Sequence, residues 1–196
     1  MHLKGANPDL NSEEIHKLQD RIGATPDGFW GPKSIALCKK HLISFYPKIN
    51  PWPRQDQASL LAFYGKPGDE SNLVPLGVSH LDIEYDGIQV SVIRCHKKIA
   101  ESLFRILTEI NGSNDSNILK EYAGVFNNRP MRNGSLPSLH ARGAAIDLDP
   151  NRNSNMNHWP AQSSMPISVM EAFAKEGWLS AGAFWGRDSM HFQATQ

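Results

Sequence analysis

The sequence predicts an α+β domain, a small antiparallel sheet with flanking helices, preceded by a small all-α module. Three observations lead there. A helix, a glycine-rich turn and a second helix can be read over residues 8–45; a hairpin signature and an amphipathic helix follow from Val74; and the remaining strands and helices are interspersed without the regular βαβ alternation of a doubly wound sheet. At 196 residues and 40% hydrophobic content, the chain has room for one ordinary domain plus a small unit.

In the first unit, Asn11 and Glu14 have the spacing of a capping box, Ile15, Leu18 and Ile22 fall on one helical face, and Gly23 stops the helix. The loop "TPDGFWGP" is built of turn residues. Pro32 suits the first turn of a second helix, in which Ile35, Cys38, Leu42 and Phe45 recur at helical spacing. The stretch "IHKLQDRIGATPDGFWGPKS" resembles the repeat of bacterial peptidoglycan-binding modules: an L-Q pair followed by D-G-x-x-G-x-x-[ST], here Asp27, Gly28, Gly31 and Ser34. The resemblance implies that residues 1–45 are a peptidoglycan-binding-like helical module.

Residues 46–73 are rich in proline and turn residues, with at most a short helix around Gln57–Phe63, and are expected to form a linker that partly packs. The second domain then spans 74–196. Its "LDIEYDGIQVSVI" is a hairpin signal: Asp86-Gly87 suits a two-residue primed turn, and Ile88, Val90 and Val92 alternate with Gln89 and Ser91. "HKKIAESLFRILTEI" reads as a helix with Ile99, Leu103, Ile106 and Ile110 inward, and a further helix over about Ile167–Glu176 ends at Gly177. "AAIDLD" alternates as a strand, Ile146 and Leu148 on one face, Asp147 and Asp149 on the other.

Composition narrows the function classes. Twenty basic residues balance twenty acidic ones, so no net field recommends nucleic acid as a partner. No segment approaches the roughly 18 apolar residues of a membrane helix and the first residues hold no apolar signal region, so membrane insertion is not expected and synthesis as a soluble cytosolic protein is; a monomer is expected as well. Cys38 and Cys95 lack C-x-x-C spacing and are expected to be buried small hydrophobes.

Two stretches concentrate ligand-type side chains: "NNRPMRNGSLPSLHARGAAIDLDP" and "GRDSMHFQ". A catalytic zinc site takes three nitrogen or oxygen ligands and keeps a fourth position open. His140, Asp147 and His191 make such a set, and Asp188, three residues before His191, would stand nearby as a base for water. Asp149 is the rival of Asp147, both pointing the same way on an extended strand. The pattern S-x-H-x-x-G-x-A-x-D (Ser138, His140, Gly143, Ala145, Asp147) followed by D-x-x-H-F (Asp188, His191, Phe192) resembles the D-alanyl-D-alanine carboxypeptidase-like zinc peptidases. Aspartate rather than glutamate at the base position resembles the L-alanyl-D-glutamate endopeptidases of phage endolysins.

The resemblance implies one Zn2+ held by His140, Asp147 and His191, Asp188 as general base, and an upstream arginine at the developing oxyanion, for which Arg129 is preferred over Arg132. Ser138 is expected to hold a ligand or its loop. His158, Trp159 and Trp185 are candidate substrate contacts, and Trp178, Phe184, Trp185 and Phe192 are candidate cleft walls. Asp147, Asp149, Asn151, Asn153 and Asn155 imitate the oxygen rhythm of a calcium loop, yet Arg152 and His158 stand where an EF-hand needs glycine and glutamate.

The implied function is a peptidoglycan hydrolase, an endolysin cutting between L-alanine and D-glutamate, made in the host cytoplasm and reaching the wall through a membrane lesion made by another protein. The alternatives are a D-alanyl-D-alanine carboxypeptidase or dipeptidase and, from another class, a non-catalytic wall-binding protein with a structural zinc.

Overall fold

The computed structural model describes residues 12–131 and 134–196. Two helices open it, α1 (Ser12–Arg21) and α2 (Pro32–Ser44), joined by the glycine-bearing turn. Asn11 of the expected capping box lies outside the described residues. Gln19 explains the rest of the motif. Its fully buried amide donates to Asp27 Oδ1 (2.7 Å), Phe29 O (3.0 Å) and Ser34 Oγ (3.0 Å), while its Oε1 accepts from Gly28 N–H (2.9 Å). A buried amide must find such partners. The polar letters of the repeat thus knit the turn to both helices, and any ligand of this unit must be met by other residues.

The segment 46–73 is packed along much of its length. Trp52 is buried, with its indole N–H on Glu176 O; helix α3 (Gln57–Tyr64) buries Leu60 and Tyr64, and the Tyr64 hydroxyl donates to Ala194 O at 2.7 Å. Proline-rich composition signalled irregular backbone here. The apolar side chains spaced along it decide that the segment lies on the domain.

Three antiparallel sheets follow. Strand β1 (Leu73–Gly77) pairs with β4 (Val92–His96), and β2 (Glu84–Tyr85) with β3 (Ile88–Gln89). The turn residues Asp86 and Gly87 both take positive φ, 52° and 74°, as the primed turn requires. The expected alternation beyond it does not hold. Ile88 and Val92 are exposed and Ile93 and Cys95 point inward, because the chain leaves the hairpin after Gln89 and re-enters a different sheet at Val92.

Helix α4 (Ala100–Asn111) buries Leu103, Ile106 and Ile110, with Ile99 at its N-cap also buried. The central sheet has the order β5-β6-β8-β7, from β5 (Tyr122–Gly124), β6 (Ala145–Leu148), β7 (Leu179–Ser180) and β8 (His191–Gln193). Helix α5 (Ile167–Lys175) lies against it, Phe173 stacking on Phe192 at 3.9 Å between ring centres, and the short α6 (Ala181–Trp185) precedes β8. Phe192 and Trp178 are therefore core residues, not cleft walls. Cys38 and Cys95 are buried as expected, and burial pushes both thiols up to about 12. Among the described residues, no helix is long and apolar enough to cross a membrane.

The helical pair is fastened to α5 through Glu171. That buried carboxylate accepts from Arg21 Nε (2.7 Å) and lies 2.7 Å from His41 Nε2, and Trp30 meets Trp159 edge-on at 5.3 Å. Burial alone would raise the Glu171 pKa, but the bonds from Arg21 and His41 outweigh it and hold the group below its usual value. A depressed folded-state pKa contributes stability above the unfolded value of about 4.3, and this is lost as pH falls through the lower folded value. Glu171→Gln is accordingly expected to cost about 2 kcal/mol at pH ~7, Arg21 being half exposed, and clearly less at pH ~3. Urea unfolding at both values checks this; an equal loss at both would remove the ionic account.

Candidate metal centre

Every letter of the first motif has a structural task. Ser138 caps a 3-10 turn over Leu139–Arg142, its Oγ accepting from His140 N–H at 3.3 Å. That turn is closed by Gly143 at φ 65°, where a Cβ would stand 2.6 Å from Leu73 Cδ2 and 3.0 Å from His96 N. Only glycine meets both the left-handed backbone and the close approach. Ala145 then enters β6 fully buried, and Asp147 follows two residues on, pointing to the same face.

The two halves of the site meet by strand pairing. In the β6–β8 register, Asp147 lies directly opposite His191, which sets their side chains on one face of the sheet. His140 reaches the same point from the 3-10 turn. His140 Nε2 lies 3.1 Å from Asp147 Oδ1 and 3.1 Å from His191 Nδ1, and His191 Nδ1 lies 2.9 Å from Asp147 Oδ1. All three residues are buried and form a group able to hold a metal ion.

The outer hydrogen bonds show what the three atoms are. His140 Nδ1 donates to Val125 O at 2.8 Å, so its Nε2 carries a lone pair; His191 Nε2 donates to Gln193 Oε1 at 3.1 Å, so its Nδ1 needs no proton for that bond. Two nitrogen lone pairs and a carboxylate oxygen thus converge, which requires a positive species between them. Ligand atoms at zinc distances of about 2.0–2.1 Å on a tetrahedron stand ~3.3 Å apart, close to the triangle found here. The donor set fits Zn2+. Burial raises the Asp147 pKa, but His140 and His191 outweigh it and hold the carboxyl well below its usual range. Burial likewise pulls His191 down, and the bond and charge of Asp147, with the charge of Asp188, turn the balance upward.

These residues floor a cleft of about 370 Å³ lined by Arg129, Met131, Ser138, Leu139, Asn155, Met156, Trp185, Arg187, Asp188, Met190 and Gln193. Asp188 sits at φ 61°, a left-handed conformation aspartate tolerates better than most residues, and its carbonyl accepts from His191 N–H at 2.9 Å. Base candidate and ligand are thereby set in one turn. Arg129 is positioned by its carbonyl, which accepts from Ser138 N–H at 3.1 Å. Trp185, 45% exposed, stacks on His191 with ring centres 5.8 Å apart. Among the described residues, a larger cavity of about 550 Å³ between α1 and Trp159–Ile167 has no histidine, cysteine or aspartate in its lining.

Several sequence expectations fall elsewhere. Trp159 is buried, its indole N–H on Met165 O at 2.9 Å, and neither it nor His158 lines the cleft; both border a cavity facing Trp30 and Cys38. Their proximity in sequence was misleading because the chain turns away after Met156. Phe184 packs against the core. Asp149 is at φ 50°, and its carboxylate holds Arg152 (2.7 Å) and Asn153 (3.0 Å), so it orders the loop and stands outside the triangle that contains Asp147. That loop is knotted inward: buried Asn153 accepts through Oδ1 from Ser164 N–H. Arg132 lies outside the described residues. Sequence reasoning passed over Arg187, although its place beside Asp188 was a usable signal; the Val125 carbonyl left none.

The α+β fold, the His-Asp-His triangle and the adjacent aspartate fit a zinc-metallopeptidase type of site. Residues 132–194 match the family model described as D-alanyl-D-alanine carboxypeptidase, a span that contains His140, Asp147, Asp188 and His191 but not Arg129. No curated protein and no solved structure matches the chain significantly.

Proposed function

We propose that this protein is a peptidoglycan hydrolase that cuts the stem peptide between L-alanine and D-glutamate. The observation that carries the reading is the convergence of His140 Nε2, Asp147 Oδ1 and His191 Nδ1 on the floor of a cleft that also holds Asp188 and arginines. Zinc, when bound there, supplies Lewis-acid polarisation of the scissile carbonyl and acidifies water. Asp188 accepts the proton of the attacking water and delivers it to the leaving amine. Arg129 meets the charge that grows on the carbonyl oxygen. Buried Met190 and the ring of Trp185 over His191 shield the floor of the cleft from water, which strengthens each of these interactions.

An aspartate base supports the endopeptidase reading over the carboxypeptidase one. So does charge: Arg187, which makes no ion pair among the described residues, gives the cleft a second cation for a stem peptide whose D-glutamate keeps a free α-carboxylate beside the bond to be cut. The helical pair is the proposed wall-binding element. Because Glu171 and Trp159 fasten it to the domain, binding would present the cleft at a fixed orientation as well as raise local substrate concentration. An endolysin, made in a host cytoplasm, acting as a monomer and reaching the wall after the membrane is breached, is the setting this chemistry suits.

Digestion of purified peptidoglycan with product mapping by mass spectrometry tests the reading. Stem peptides with a new N-terminal D-glutamate are expected. Release of D-alanine alone would transfer the assignment to a carboxypeptidase, and zinc-loaded protein that releases nothing would leave a wall-binding protein with structural zinc.

A further inference from the structure

Gln193 ends β8 two residues beyond His191 and is buried at 7% exposure, on a strand held on both sides by Ala145 and Leu179. Its amide is used at both ends. Oε1 accepts from His191 Nε2 at 3.1 Å, and Nε2 donates to Oγ1 of the fully buried Thr195 at 2.7 Å. An amide is ambiguous by itself, since rotating it by half a turn exchanges donor for acceptor. Turned the other way, Gln193 would present N–H to His191 Nε2, forcing the ring proton onto Nδ1, the atom that faces Asp147 and His140. In the arrangement found, Thr195 Oγ1 takes the amide's N–H and the oxygen is left for the histidine; a hydroxyl can accept or donate, so Thr195 anchors the amide rather than choosing its orientation.

We propose that Gln193, anchored by Thr195, is the positioning residue that fixes His191 as an Nδ1 metal ligand, by accepting the Nε2 proton and so aiming the Nδ1 lone pair at the point shared with His140 and Asp147. The inference rests on the zinc reading of the site. It completes a symmetry of roles in the donor set: the carbonyl of Val125 fixes the ring proton of His140 on Nδ1, and the amide of Gln193 fixes that of His191 on Nε2. One is backbone and cannot be mutated away. The other is a side chain, and its contribution to metal binding can be measured. Outer partners of this kind set both ring orientation and ligand basicity.

The test is the zinc dissociation constant of the full chain, by chelator competition at fixed pH, for wild type, Gln193→Leu, Gln193→Glu and Thr195→Val, with the melting midpoint of each metal-free protein measured alongside. Gln193→Leu, which keeps bulk but removes the acceptor, is expected to weaken zinc binding by about ten- to hundredfold. Gln193→Glu, an acceptor in either orientation, is expected to hold zinc at least as tightly as wild type. Thr195→Val removes the anchor of the amide's N–H, loosening Gln193 against His191, and is expected to lose affinity in the same direction but by less; it also keeps the idea testable if the leucine variant does not fold. Wild-type affinity in both Gln193→Leu and Thr195→Val overturns the proposal, as does a loss in Gln193→Glu as large as in Gln193→Leu, or losses that follow the melting midpoints rather than the acceptor. A wild-type chain that holds no zinc overturns the metal site itself, and the inference with it.

Discussion

Asp188→Asn is expected to leave one zinc per chain bound at near wild-type affinity while lowering turnover on peptidoglycan by about 10²- to 10⁴-fold, the usual contribution of a positioned general base. Asparagine is the informative substitution because of the backbone. At φ 61° alanine would add strain of its own, whereas asparagine accepts the left-handed conformation nearly as well as aspartate and fills the same volume. The turn that donates His191 N–H to the Asp188 carbonyl should survive, so the ligand stays in place. Losing the carboxylate also removes a charge that raises the His191 pKa, a change that helps the metal compete with the proton. Reduced zinc content in this variant would therefore speak against its role as base and for one as ligand. Unchanged lysis would refute the base assignment outright.

The site was legible in the sequence to the extent that each of its parts is local. Ser138, His140, Gly143, Ala145 and Asp147 are spaced by a 3-10 turn, a left-handed glycine and one strand, and each constraint acts over a few residues. Asp188 and His191 share a single turn for the same reason. What joined the halves was the β6–β8 register, set by packing of Ile146 and Phe192 into the core, and no local pattern contains it. The lining was read less well. Aromatic residues near the motifs looked like walls, yet Trp178 and Phe192 contribute most by burial and are placed accordingly, leaving Trp185 at the cleft.

The same distinction accounts for the fold. Helix α4 was readable because one apolar stripe meets one neighbour, and Gly177 at φ 76° marks the end of α5. The hairpin's turn was readable and the strand beyond it was not: the pattern Ile88, Val90, Val92 has the right period, but sheet exchange at Ser91 inverts which side is inward. For residues 46–73, composition described the backbone and said little about where Trp52, Leu60 and Tyr64 would go.

His140→Ala is expected to abolish stoichiometric zinc binding at micromolar metal, a loss exceeding the ten- to hundredfold that an outer partner costs, because a ligand atom itself is removed. The remaining pair, Asp147 Oδ1 and His191 Nδ1, can still share a proton at 2.9 Å, and that arrangement competes with the metal once the third donor is gone. The matched control is Asp149→Ala. Its carboxylate is engaged by Arg152 and Asn153, so this variant should loosen the loop after β6, through the lost bonds and the strain of alanine at φ 50°, yet keep one zinc per chain. Metal analysis after dialysis separates the two. If His140→Ala kept one tightly bound zinc while Asp149→Ala lost it, the carboxylate ligand would be Asp149 and the triangle of His140, Asp147 and His191 would not be the metal site.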